Sequence, residues 1–159
     1  MTLPNAQTVT NLQTSCRLFA ALSGQFQIDV IQLRAIDLDW LANRVKRWYG
    51  HAEDHLRLFA ARLIYIGVDP EYDPGAVTGF ENVEAFLTRS QESVYAAFDQ
   101  ICQFRRAAWD ARADGLPDLY EHAIQYLEKT GIKIDRELKL IALLGDEAGY
   151  IAARLEDGE

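Results

Sequence analysis

The chain contains three histidines. Two of them, His51 and His55, stand one helical turn apart at the head of the apolar run that ends at Gly67. At an i, i+4 spacing two imidazoles share a helix face and can begin a transition-metal site, although a third and a fourth ligand are needed to complete it. Glu147 is the candidate that fits: it lies beside the stripe of Leu144, Ala148 and Ile151, whereas its neighbour Asp146 faces outward. A carboxylate on such a stripe must be paired, protonated, metal-bound or close to a helix end. His55 and Glu147, with His51 on the flank, therefore form the candidate metal set. The competing reading makes His55 a neutral core histidine hydrogen-bonded to a polar partner such as Tyr95, Tyr150 or Glu147. Other chemistries find no support. Cys16 and Cys102 lie in apolar helical stretches without a partner at metal-site spacing, and neither a phosphate-cradling glycine loop nor a G-x-S-x-G elbow is present. His122 reads as an exposed residue.

Composition narrows the class. A chain of 159 residues is expected to form one domain over 1–159 with a core that needs no disulfide. Apolar residues make up 49% and charged residues 25%, as in soluble globular proteins. The formal net charge of −8 argues against a phosphate-backbone partner, so no nucleic acid is expected. No apolar run reaches the ~18 residues of a membrane span. Met1-Thr-Leu-Pro-Asn lacks the basic and apolar regions of a signal peptide. A cytoplasmic protein with reduced thiols is the expectation.

The elements that must position these residues are helices. Leu12, Cys16, Phe19, Ser23, Phe26, Val30 and Leu33 recur at steps of three and four, which predicts a first helix from about Thr8 to Ile36. A second helix begins near Asp37 or Asp39, carries Leu41, Val45, Trp48, Ala52, His55 and Phe59 on one line, and is closed by Gly67. Residues 68–80 hold Pro70, Pro74, Gly75 and Gly79 and read as a long crossover, so that helices two and three run parallel. A third helix starts near Glu81 and ends before Gly115. A further helix covers about 116–131, with Gly131 expected to interrupt it, and a last one runs from Ile134 to Leu155 ahead of the polar tail 157–159. No stretch alternates with period two, so the predicted class is all-α.

Two segments carry a family resemblance. One is His55 followed by Arg62-Leu-Ile-Tyr-Ile-Gly67, a proline, the crossover Pro74-Gly-Ala-Val-Thr-Gly79 and then Val83-Glu-Ala-Phe-Leu87. The other is Leu143-Leu-Gly-Asp-Glu147-Ala-Gly-Tyr150. Together they resemble the bacterioferritin branch of the ferritin-like family. The resemblance implies a four-helix bundle with a long crossover between helices two and three, here with an extra helix before the last. It also implies an internal di-iron site, built from a glutamate on each of two helices and a Glu-x-x-His pair on each of two others.

Most of that ligand set is replaced. The second-helix histidine corresponds to His55, but its glutamate falls on Ala52. The third-helix glutamate falls on Tyr95. The last-helix glutamate corresponds to Glu147, with Tyr150 in place of its histidine. By local pattern the first-helix glutamate falls on Gln25. The methionine that holds haem in the family is Glu53 here, so haem bound in that mode is excluded; iron or another divalent metal stays open as a cofactor. The implied function is an iron-handling protein with a degenerate ferroxidase centre, acting as a non-catalytic or one-metal-site subunit of a homo-oligomer or of a mixed oligomer with a related subunit. Standard ferroxidase activity is not expected. The alternative is a metal-free helical scaffold or protein-interaction module that keeps only the fold.

Overall fold

The computed structural model describes residues 4–156; Met1 and the polar tail 157–159 lie outside the described residues. The helices are α1 (Ala6–Ala35), α2 (Asp39–Tyr65), α3 (Val83–Asp110), α4 (Leu116–Leu144) and α5 (Glu147–Glu156), and no strand occurs among the described residues. α1 packs chiefly on α2 and α3 chiefly on α4, while α1 also meets α3 and α2 meets α4. This closes a four-helix bundle. Among the described residues, no helix is long and apolar enough to cross a membrane.

Local chemistry sets the helix ends. The Asn5 side chain accepts from Thr8 N at 2.8 Å, and that of Asn82 accepts from Ala85 N at 2.7 Å, so both satisfy otherwise orphaned donors of a first turn. α2 ends in a left-handed residue, Gly67 (φ 81°), with Val68 N donating to Leu63 O and Gly67 N to Ile64 O. That is the paired 6→1 and 5→2 closure in which glycine escapes the Cβ penalty. The same closure ends α1 at Asp37 and α3 at Arg112, which take positive φ without being glycine.

The seams read from the sequence form the core. Leu12, Cys16, Phe19, Phe26 and Leu33 of α1 are buried against Leu41, Val45, Trp48, Ala52 and Phe59 of α2, with Leu87, Val94 and Ile101 of α3 in the same cluster. The fourth helix differs from expectation in its extent. Gly131 does not interrupt it, and 116–131 is the first half of one helix that runs to Leu144. The buried stripe of Tyr120, Ala123, Leu127, Thr130, Ile134, Glu137 and Ile141 passes Gly131 in phase, so ending the helix there would strand half of the stripe. Gly131 instead leaves room for a neighbour: a Cβ at this position would lie 3.2 Å from the Tyr95 ring of α3. The break comes at Gly145 (φ 83°), after which α5 is short.

The crossover 66–82 lies along α1 and runs in the same direction, held by three glutamines. Gln13 donates to Asp69 O (2.7 Å) and accepts from Glu71 N (3.1 Å). Gln25 donates to Thr78 O (2.7 Å) and accepts from Thr78 N (3.1 Å). Gln32 donates to Phe80 O (2.5 Å) and accepts from Phe80 N (3.0 Å). A primary amide reproduces the donor–acceptor pair of a peptide, so each glutamine serves an irregular segment as a neighbouring strand would. The crossover returns the chain to the end of the bundle where α2 began, and α2 and α3 therefore run parallel, as the loop length implied.

Candidate functional site

Rings fill the middle of the bundle. Phe19 of α1 stacks on Phe59 of α2, with centroids 5.5 Å apart and planes at 22°. His55 lies between Phe19 (5.4 Å) and Tyr126 of α4 (5.2 Å), and Tyr120 packs on Phe59 (5.3 Å). Ala52 is buried on the same inner face. The Tyr126 hydroxyl donates to Trp48 O at 2.7 Å and ties α4 to α2. The Tyr120 hydroxyl is buried without a partner in hydrogen-bond geometry, and burial pushes it up to about 12. Burial pushes Cys16 up to about 11, with the Glu71 charge adding to the effect, so this thiol is a poor nucleophile.

His55 is half-buried, and its Nδ1 is sealed inside with no hydrogen-bond partner. Desolvation first, and then the neighbouring His51 and His122, hold its imidazole down to about 4, while Asp54 pulls the other way. The ring is therefore neutral at physiological pH. None of the expected partners reaches it. His51 and His122 are exposed on the same seam between α2 and α4, the His51 ring 6.0 Å from that of Tyr126.

The remaining sequence-selected residues do not join this cluster. Glu147 opens α5 and accepts from Val83 N and, at 3.2 Å, from Glu84 N, which caps the start of α3. From Tyr126, which touches His55, to Leu144 at the far end of α4 is about 27 Å at ~1.5 Å per residue. His55 and Glu147 therefore cannot hold one ion, and the pairing expected between them is corrected. The Asp146-Glu147 pair suggested a helix interior, but Asp146 is itself a cap that accepts from Gly149 N at 2.7 Å. Tyr95 is 38% exposed and donates to Asp135 Oδ2 at 2.6 Å, so it does not face the interior. Tyr150 is buried, but against α4, where its hydroxyl donates to Glu137 Oε2 at 2.7 Å. Gln25 of α1 is turned to the crossover, where its amide is bonded to Thr78. Of the degenerate-site positions, Ala52 alone adjoins His55 on the inner face of α2.

The interior does hold carboxylates that the sequence reading passed over. Asp29 of α1 is 0% exposed and pairs with Arg89 of α3, with Gln25 Nε2 donating to the same oxygen. Glu137 of α4 is 2% exposed and is gripped by Arg154 of α5 through both of its oxygens, at 2.8 and 2.9 Å. The Arg154 guanidinium lies 4.1 Å over Trp40, whose ring Arg44 also covers at 4.2 Å. The signal was available: Asp29 is in phase with Phe26 and Leu33, and Glu137 with Ile134 and Ile141. Each acid is neutralised by an arginine, and neither adjoins His55. Among the described residues, no three histidine, cysteine or carboxylate side chains could hold an ion as they stand. A di-iron centre needs hard oxygen donors that bridge two ions, and the rings around His55 supply none. The residues present do not fit that group.

No family model matches the chain, and no curated protein matches it. Its structure does match a solved one. A bacterioferritin of Rhodobacter capsulatus, described as having a metal-free dinuclear site and haem iron in a crystallographic special position, agrees with TM-score 0.90 over 96% of both chains at 14% sequence identity. With that agreement across nearly the whole of each chain, the fold of this protein is the ferritin-like four-helix bundle of a bacterioferritin, with a short fifth helix at its end.

Proposed function

We propose that the protein is a ferritin-like subunit that has given up the ferroxidase centre and serves an iron-handling oligomer as a structural, non-catalytic member. One observation carries this reading. The packed rings of Phe19, His55, Phe59 and Tyr126 occupy the bundle interior around the one histidine that the resemblance retained. Such a core stabilises by burial and ring packing, and it offers ferrous iron neither bridging oxygens nor space. α2 and the crossover also carry exposed Leu58, Ile64, Tyr65 and Tyr72, apolar surface of the kind through which subunits assemble.

The rival reading is a metal-free scaffold. It is favoured by the arginines that neutralise Asp29 and Glu137, because they leave the interior without an uncompensated negative group to attract a cation. One experiment separates the two. The purified protein is sized by light scattering, alone and after co-refolding with a ferroxidase-active ferritin-like subunit, and is then challenged with ferrous iron. The structural-subunit reading expects a defined oligomer or co-oligomer, with no ferrous oxidation above the blank by this chain alone and iron retained by the co-oligomer. A stable monomer that neither co-assembles nor retains iron would leave the scaffold reading standing. Oxidation of ferrous iron by the pure chain would overturn both.

A further inference from the structure

Trp109, in the last turn of α3, is 72% exposed, more than any other aromatic side chain among the described residues. It stands between two hollows at the corner where α3 hands over to α4. One, of about 710 Å3, runs back along α3 past Cys102 and Arg106 and is walled on the α4 side by Pro117 and Asp118. The other, of about 440 Å3, lies over the turn beside Arg112 and Asp114, and shares Trp109, Pro117 and Asp118 with the first. We propose that this corner is a homotypic docking surface, on which a second copy of the chain seats its own Trp109 in the larger hollow about a twofold axis. The surface is separate from the exposed residues of α2, and the contact is independent of whether the assembled protein handles iron.

Charge selects the occupant. The chain carries 24 acidic and 16 basic residues, so two copies repel one another over most of their surface. At this corner the signs alternate. Arg105 is already paired with Glu121. Arg106 and Arg112, and likewise Asp110, Asp114 and Asp118, are exposed and form no ion pair among the described residues. A face with two unpaired cations and three unpaired anions around one aromatic knob and its hollow is complementary to itself. An isologous contact requires this: the same patch on both subunits, each knob in the other's hole and each guanidinium opposite the other's carboxylate. A uniformly basic partner would leave Arg106 and Arg112 facing like charge, and a uniformly acidic one would do the same to the three aspartates. The backbone keeps the arginine in place. Arg112 takes φ 51° in the left-handed turn that closes α3. Glycine is the usual residue at such a closure, and a side chain there is strained. The strain is accepted where the guanidinium lines the smaller hollow. Tryptophan and arginine are also the side chains that most often anchor protein contacts.

The test is sedimentation velocity of the full chain over a range of concentrations, with light scattering as a second measure of mass. The expected result is reversible association that Trp109→Ala weakens at least tenfold. At a dilution where both are dissociated, the melting temperature should be unchanged, because the indole is exposed in the single chain. Charge reversal adds a second readout. Arg106→Glu/Arg112→Glu makes the free charges of the corner all acidic, and Asp110→Arg/Asp118→Arg makes them mostly basic. Each variant alone should lose the contact, and an equimolar mixture of the two should recover it. Failure of the mixture to associate, association untouched by Trp109→Ala, or a parent that stays monomeric at millimolar concentration would each overturn the proposal. Association abolished by Leu58→Asp/Ile64→Asp but unaffected by Trp109→Ala would overturn it while leaving the structural-subunit reading intact.

Discussion

Gln25 meets Thr78 as one strand meets another. Its amide donates to the Thr78 carbonyl and accepts from the Thr78 N–H, while the same nitrogen reaches the buried carboxylate of Asp29. One side chain thus fixes the crossover and helps satisfy an acid inside the bundle. Gln25→Ala should destabilise the protein by about 1–2 kcal/mol, the net worth of two or three half-exposed hydrogen bonds. It should also speed proteolytic cleavage within 68–80 relative to the helices. Denaturant unfolding and limited proteolysis check the two effects, and an unchanged cleavage rate in the crossover would refute the assigned role.

Asp29 depends on Arg89 more than on any other residue. Burial pushes the Asp29 carboxyl up, and the hydrogen bond and charge of Arg89 work against that shift. Arg89→Ala removes the counter-charge and leaves a carboxylate in the core, which costs ~3 kcal/mol or more. Asp29→Asn/Arg89→Met should recover a substantial part of that loss, because a neutral pair needs no partner charge. Urea denaturation of the single and double variants measures this directly; equal stability of Arg89→Ala and the parent would show that the pair contributes nothing.

The short α5 is latched through Glu137. Arg154→Ala should free the helix from the bundle end, raising hydrogen exchange at the α5 amides by at least about tenfold, equivalent to ~1.4 kcal/mol of local stability, while the exchange of α1 and α2 changes far less. Exchange mass spectrometry resolved by peptide tests this expectation. A uniform rise across all helices would instead mean that the latch stabilises the whole bundle.

His55 sets a pH dependence whose sign is fixed. Its folded-state value, about 4, lies below the ordinary 6.5, so below pH 6.5 the unfolded chain takes up a proton that the folded chain refuses. Stability is therefore full above about pH 6.5 and falls as the pH drops towards 4. His55→Phe, which keeps a ring between Phe19 and Tyr126, should flatten the stability profile in that window. Thermal melts of both proteins from pH 7.5 to 4 provide the check, and parallel profiles would exclude His55 as the source.

The bundle was legible in the sequence because its core is written as a repeat. The steps of three and four through Leu12, Phe19, Phe26 and Leu33 predict burial, and those residues are buried. The extent of α4 was harder to read, since Gly131 has the composition of a stop but the packing of a spacer for Tyr95. The site was the least legible part. Asp146-Glu147 followed by Tyr150 has the spacing of a ligand motif, yet that spacing serves equally at a helix start, and only the left-handed turn at Gly145 distinguishes the two. Asp29 and Glu137 lay in phase with the apolar stripes, but their arginines come from other helices, and pairings between helices leave no local pattern.

The carboxylate that closes the start of α3 belongs to Glu147, far along the chain. During synthesis α3 therefore emerges with its first two amides open, and the group that closes them arrives only after the whole of α4 has been made. Until then α3 and α4 can pair as a hairpin, but the end of the bundle stays loose. The last helix is in this sense a fastener added to a nearly finished molecule, and a chain cut short before Glu147 would fold with a frayed third helix.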